Sequence, residues 1–264
     1  SPAQRAGAPV PQVDLRPRRR QPAGQAPRLR VMHLRLLLDS ADPVAWADWL
    51  PSGLFHGVTT NPTLLRRAAR PCRLEELERL TCEALDWGMQ EIHLQAWGGD
   101  AEALTTCGDR LAALAPGRVL VKLPITRAGA EAARRLIATG VPVTFTACYA
   151  VSQVLVAAAL GARYIAPYLG RIGDLGRDGH ADLIAMQQAL AGVGATTRLL
   201  VASLRDPTDL TRLAAAGVGC FTLAPSVAAA LFAAAPTVEA AAQFERDAVA
   251  AGAGVGNADP GQTG

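Results

Sequence analysis

The sequence predicts an α/β fold, a (β/α)8 or TIM barrel with an additional C-terminal helix. Three observations point there. Short β-rich runs alternate with helical stretches along most of the chain. Half of the 264 residues are apolar and only 5% are aromatic, which suits helices packed over a buried parallel sheet better than a sandwich. The strand candidates number eight, the count that closes such a barrel.

The first strand candidate is HLRLLLD (33–39), followed by DPVAWADWL, which opens on the Asp-Pro pair of a helix start. LFHGVTT (54–60) is the second, and RLEELERLTCEALDWG after it is helical and ends on a glycine in C-cap position. EIHLQAW (91–97) and RVLVKLP (118–124) are the third and fourth; TRAGAEAARRLIATG then begins after Thr126 and again stops at glycine. VPVTFT (141–146), ARYIAPY (162–168), TRLLVAS (197–203) and VGCFTLA (218–224) complete the eight. AVSQVLVAAALG, HADLIAMQQALAGVG, DPTDLTRLAAAG and SVAAALFAA supply helices between and after them. A doubly wound open sheet is the alternative, but no Gly-rich phosphate turn follows the first strand.

Charge divides the chain. Residues 1–31 hold seven arginines and one acid, a net +6, whereas 32–264 hold 19 basic and 22 acidic residues, a net −3. The first segment is proline-rich and without apolar periodicity, and it has no signal-peptide core. It reads as a disordered extension of no catalytic importance, the barrel domain running over 32–252 and a disordered tail over 253–264. RPRRR offers a polyanion contact, but a solvated tail fits it better, and the mildly acidic domain gives no reason to expect nucleic acid. Two uncharged runs, 136–162 and 213–238, are broken by TGVP, GVGC and LAPS, so no membrane span is predicted. Five scattered cysteines without a CxxC fit a reduced, cytoplasmic setting. His33, His56, His93 and His180 show no metal-ligand spacing and default to core or surface roles, so no metal site is expected.

One residue stands apart. Lys122 is the sole lysine beside 25 arginines, and it lies in an apolar run that reads as a buried strand. A guanidinium stays protonated at any ordinary pH, whereas a buried amine can lose its proton and attack a carbonyl to form a Schiff base. The alternatives are a lysine paired to a carboxylate or one whose stem reaches water. A barrel puts its chemistry at the C-terminal ends of its strands. Those ends read Asp39; Thr59, Thr60 and Asn61; Gln95; Lys122; Thr146; Tyr168; and Ser203 with Arg205. Seven of the eight strands finish in polar or ionisable groups, although Asp39 and Asn61 also suit turns.

GVTTNPTLL, VLVKLPIT, APYLGRI and LLLDSAD resemble the transaldolase family, closest to its short branch that includes fructose-6-phosphate aldolase. The similarity runs from about Met32 to about Gly252. It implies a class I mechanism without metal or organic cofactor, with Lys122 as the Schiff-base lysine and Asp39 as acid/base. Thr60 and Asn61 would bind substrate, Asn61 at the hydroxyls of the dihydroxyacetone unit. Gln95 and Thr146 would hold the water of imine formation and hydrolysis. Arg171, Ser203 and Arg205 fall where the family binds the sugar phosphate. Gln95, Ala166 and Tyr168 match the aldolase branch, where transaldolases have Glu, Ser and Phe; Tyr168 adds a hydroxyl able to relay a proton. Gly173 replaces a common acidic residue after the GRI segment, and Thr144 a common asparagine.

These residues lead to an aldolase that cleaves or forms fructose 6-phosphate or a similar ketose. The alternatives are a transaldolase of the pentose phosphate pathway, passing dihydroxyacetone between sugar phosphates, and a non-catalytic sugar-phosphate-binding barrel. The family resemblance also implies a homo-oligomer. TVEAAAQFERDAVAAG is a candidate for an inter-subunit helix, or else for a lid on its own barrel.

Overall fold

A computed structural model describes residues 34–253. The expected extension over 1–31, Met32 and the tail beyond residue 253 lie outside the described residues. Eight parallel strands close into a barrel in sequence order: β1 (Arg35–Asp39), β2 (Gly57–Thr59), β3 (Glu91–Gln95), β4 (Val119–Pro124), β5 (Val143–Cys148), β6 (Tyr164–Pro167), β7 (Arg198–Val201) and β8 (Cys220–Leu223). The outer layer is α1 (Pro43–Trp49), α2 (Pro62–Arg67), α3 (Leu74–Asp86), α4 (Ala101–Ala112), α5 (Arg127–Ala138), α6 (Gln153–Leu160), α7 (Leu169–Asp174), α8 (Gly179–Gly192), α9 (Pro207–Ala215), α10 (Pro225–Ala230) and α11 (Ala235–Ala250). The predicted barrel is therefore the observed one. The short α2 and α7, and α4 between β3 and β4, are additions to the helices read from the sequence.

The two-residue period of a strand sorts side chains into two shells. Val119, Val121 and Leu123 point outward into the main core beneath the helices, joined there by Ile92, Phe145, Ile165 and Phe221. Leu120 points inward, to a smaller cluster with Leu37, Tyr164, Leu200 and Cys220. Alternation therefore turns Lys122, two residues after Leu120, toward the barrel axis. Helix starts are capped in the same economical way: Asp42, Asn61, Thr126 and Asp206 each accept a hydrogen bond from a backbone N–H of the first turn.

No residue of α11 is buried, and Val238, Phe244 and Val249 are all exposed. Among the described residues no helix is long and apolar enough to cross a membrane.

Candidate active site

The upper, C-terminal end of the barrel encloses a cavity of about 190 Å³, sized for a small molecule. Asp39, Asn61, Lys122, Thr146, Ala166, Tyr168, Arg171 and Ser203, all expected from the sequence, line it together. A larger groove of about 480 Å³ lies outside the barrel, by Trp97 and α4, and gathers no comparable set.

Lys122 is 7% exposed, and its Nζ donates to the Thr60 carbonyl at 2.7 Å. Among the described residues no carboxylate forms a salt bridge with it, so neither bland role, ion-paired or solvated, describes this amine. Burial pushes its pKa down, and nearby Asp39 opposes that shift without cancelling it. Thr60 is held in turn by the His93 carbonyl, which accepts from its N–H and its hydroxyl, both at 3.1 Å.

Asp39 accepts from Thr59 Oγ1 at 2.6 Å, and that hydroxyl also meets Thr222 Oγ1 at 2.6 Å. The turn after β1 is made by Ser40 and Asp42, which leaves Asp39 to the interior. Asn61 Oδ1 caps α2 through Leu64 N at 2.9 Å, and the residue also lines the cavity. Gln95 donates to the Lys122 carbonyl at 3.1 Å, and Thr146 donates to Gln95 Oε1 at 3.4 Å. These two bracket the lysine's own strand.

Tyr168 packs edge-on against Tyr149, ring centroids 5.6 Å apart, and beneath the Arg171 guanidinium at 5.2 Å. Burial raises its pKa, against hydrogen bonds from the Ala147 backbone and the Thr146 side chain, so the phenol keeps its proton at neutral pH. Two strained residues shape this rim. Ala147 and Ser203, at the ends of β5 and β7, have φ of 56° and 58°, a region sparsely populated by residues other than glycine. Gly170 faces Ser203: a Cβ there would lie 2.7 Å from both Ser203 O and Arg205 Nε. Only glycine lets α7 approach so closely.

Arg205 does not line the cavity. Its Nη1 and Nη2 donate to Asp174 Oδ1 and Oδ2 at 2.8 and 2.6 Å, an exposed bidentate pair at the rim. Arg67, from the last turn of α2, lines the cavity beside Arg171 instead. Sequence reading missed Arg67, Asp174, His93 and Thr222 as parts of this region. The two-residue period through Glu91, His93 and Gln95 was the signal available for His93. Among the described residues, no cluster of three His, Cys, Asp or Glu side chains is arranged to hold a metal ion.

Residues 36–255 match the family described as transaldolase/fructose-6-phosphate aldolase. The chain is 35% identical over 215 residues to a probable transaldolase of Caulobacter sp. (strain K31), covering 81% of this chain and 96% of that protein. It is 34% identical over 217 residues to a probable transaldolase of Rhodospirillum centenum (strain ATCC 51521 / SW), covering 81% and 90%. A solved structure described as "Native KDPGal structure" aligns over 72% of this chain and 81% of that one, with a TM-score of 0.51 at 16% identity. That likeness shows the fold alone. The chain belongs to the transaldolase/fructose-6-phosphate aldolase family and is an enzyme that forms or cleaves carbon–carbon bonds.

Proposed function

We propose that the protein is a class I aldolase of the short, fructose-6-phosphate aldolase-like branch. Its substrate would be fructose 6-phosphate or a similar ketose, handled through a dihydroxyacetone imine on Lys122. The observation that carries this reading is the state of Lys122: a buried amine, depressed in pKa, without a salt bridge among the described residues, inside the small-molecule cavity. In its neutral form Nζ attacks the ketose carbonyl; a proton given to the resulting carbinolamine hydroxyl lets it leave as water, and the protonated imine remains. The C3–C4 electron pair then moves into the imine as the C4 hydroxyl gives up its proton, releasing an aldehyde and leaving an enamine. Protonation at C3 and hydrolysis return dihydroxyacetone and the amine.

Asp39 and Tyr168 flank the lysine as the acid/base groups. The phenol is the group that separates this site from a transaldolase with phenylalanine there. Gln95 and Thr146 hold the water consumed and released. Arg67 and Arg171 at the cavity wall, with Arg205 at the rim, suit a phosphate dianion. Transaldolase is the second reading, and the two relatives described as probable transaldolases favour it. Product analysis separates the two. Free dihydroxyacetone from fructose 6-phosphate alone supports the aldolase; product only when erythrose 4-phosphate is added supports the transaldolase.

The reading extends to assembly and setting. Among the described residues, a homo-oligomer built through α11 accounts for a 16-residue helix none of whose own residues is buried, which speaks against a lid. Light-scattering mass of the wild type against Phe244→Glu tests it; a wild-type monomer refutes it. Five free thiols suit a reducing cytoplasm.

A further inference from the structure

Beneath Lys122 the inner wall of the barrel carries a column of polar side chains that the mechanism above does not use. At its foot Glu91, 3% exposed, accepts from Tyr164 Oη at 2.8 Å, and its Oε1 lies 3.2 Å from His93 Nε2. Arg35 Nη1 donates to Tyr164 Oη at 2.5 Å, and His56 Nε2 lies 3.6 Å from Glu91 Oε2. Above Glu91, the fully buried His93 places Nδ1 3.0 Å from Thr144 Oγ1. Thr144 is paired in register with Lys122 on the neighbouring strand, and His93, Thr144 and Lys122 all line the cavity.

The direction of every hydrogen bond in this column follows from the charge at its foot. Burial works against the ionised Glu91, but its contacts with His56, His93 and Tyr164 outweigh that and hold its pKa well below the ordinary carboxylate range. An ionised carboxylate only accepts, so His93 Nε2 must carry the hydrogen. Burial lowers the His93 pKa, and the neighbouring Lys122 lowers it further, against the pull of Glu91. The ring is therefore neutral, and Nδ1 is an acceptor. Thr144 can then only donate to it. Its lone pairs are left facing away from the imidazole.

We propose that Glu91 and His93 are positioning residues that fix Thr144 as an acceptor-only hydroxyl beside Lys122, its negative end turned to the cation of the protonated imine. This rests on the Schiff-base reading. A free threonine hydroxyl can rotate and present its proton; one anchored in this way cannot. The other charged or titratable groups around the imine are Asp39 from β1, Tyr168 after β6, Arg171 from α7 and Arg67 from α2. Around the foot of the column they are Arg35, His56, Tyr164 and Cys220, with Arg198 on β7.

The test is imine capture by dihydroxyacetone with cyanoborohydride, which reduces the protonated imine and not the neutral one, followed by intact mass across pH. The high-pH limb of adduct formation reports loss of the imine proton. Thr144→Val, nearly isosteric, should move that limb down by about one pH unit, the loss of one hydrogen bond to a charged group. His93→Leu should move it equally, and the double variant no further. His93→Gln, which can donate to Glu91 and accept from Thr144, should restore the wild-type limb. If His93→Leu does not fold, Thr144→Val alone decides. An adduct whose limb is unmoved by Thr144→Val overturns this inference and leaves the Schiff base standing. No adduct in the wild type at any pH overturns both.

Discussion

At the lower end of the barrel Glu91 is buried among Tyr164, His93, His56 and Arg35, and its pKa falls: the fold stabilises its charge. At the upper end Lys122 is buried almost as deeply, holds one neutral carbonyl, and its pKa also falls: the fold destabilises its charge. Two downward shifts therefore mean opposite things. The carboxylate is satisfied, and the amine is left ready to give up a proton. Desolvation acts on both, and the partners decide the outcome. Buried charge supports structure where partners surround it and reactivity where they are withheld.

The sharpest way to break this comparison is to keep the charge of Lys122 and remove its titration. Lys122→Arg should abolish both turnover and borohydride-fixed adduct while far-UV circular dichroism stays unchanged. Substantial residual activity would make Lys122 a structural cation like Arg35. Next in size is Tyr168→Phe, expected to slow carbon–carbon cleavage by about 10²- to 10⁴-fold with much less change in donor binding. Single-turnover rates with fructose 6-phosphate measure it, and an unchanged rate would shift that role to Asp39.

A third pair of variants sets the two ends directly against each other. Glu91→Leu strands donors on Tyr164 and His93 and should destabilise by about 3 to 5 kcal/mol, as breaking buried pairs does. Because the folded pKa of Glu91 is lowered, its stabilisation is present above the unfolded carboxylate pKa, about 4.3. It is lost as pH falls below that value, and the variant should lack this acid-dependent loss. Lys122→Met should do the reverse. A lysine whose folded pKa is lowered binds fewer protons folded than unfolded, so it weakens the fold below its unfolded pKa, about 10.4, and not above it. At pH 7 the methionine variant should melt higher, by about 2 to 4 °C per kcal/mol. Parallel shifts in the two variants would erase the distinction.

The upper end was far more legible in the sequence than the lower. Strand ends of a barrel announce themselves, since Asp39, Lys122, Thr146 and Tyr168 each break an apolar run where the loops begin. Glu91 and His93 lie inside EIHLQ, where one acid at a strand start and one lone histidine look ordinary. Their meaning comes from Tyr164, 73 residues on from Glu91, and Thr144, 51 on from His93. Local patterning carries no such information. Helix α4 was obscured for a related reason. Its interior holds two threonines and Gly108, weak helix formers, and the glycine is there because a Cβ would lie 2.6 Å from Leu136 Cδ1 of α5. The helix gives up propensity for close packing against a neighbour.

The smallest expected effect sharpens the comparison at the rim, where pairing is exposed. Arg205 and Asp174 meet in a bidentate bridge, each partner raising the charged character of the other. Both side chains are more than half exposed, so the bridge adds little to stability. Its consequence is for ligands: the same two guanidinium nitrogens that meet the carboxylate are those that would meet a phosphate. On the proposed reading, Asp174 competes with a substrate phosphate for Arg205. Asp174→Asn should leave the melting temperature within about 1 °C, since solvent screens an exposed pair of this kind. It should lower KM for a phosphorylated substrate by about 2- to 5-fold, the span of a modest screened charge effect. KM for an unphosphorylated substrate such as dihydroxyacetone should not move, and raising the salt from 0.05 to about 0.5 M should shrink the difference. An equal change for both substrates would remove Arg205 from phosphate recognition and leave that task to Arg67 and Arg171.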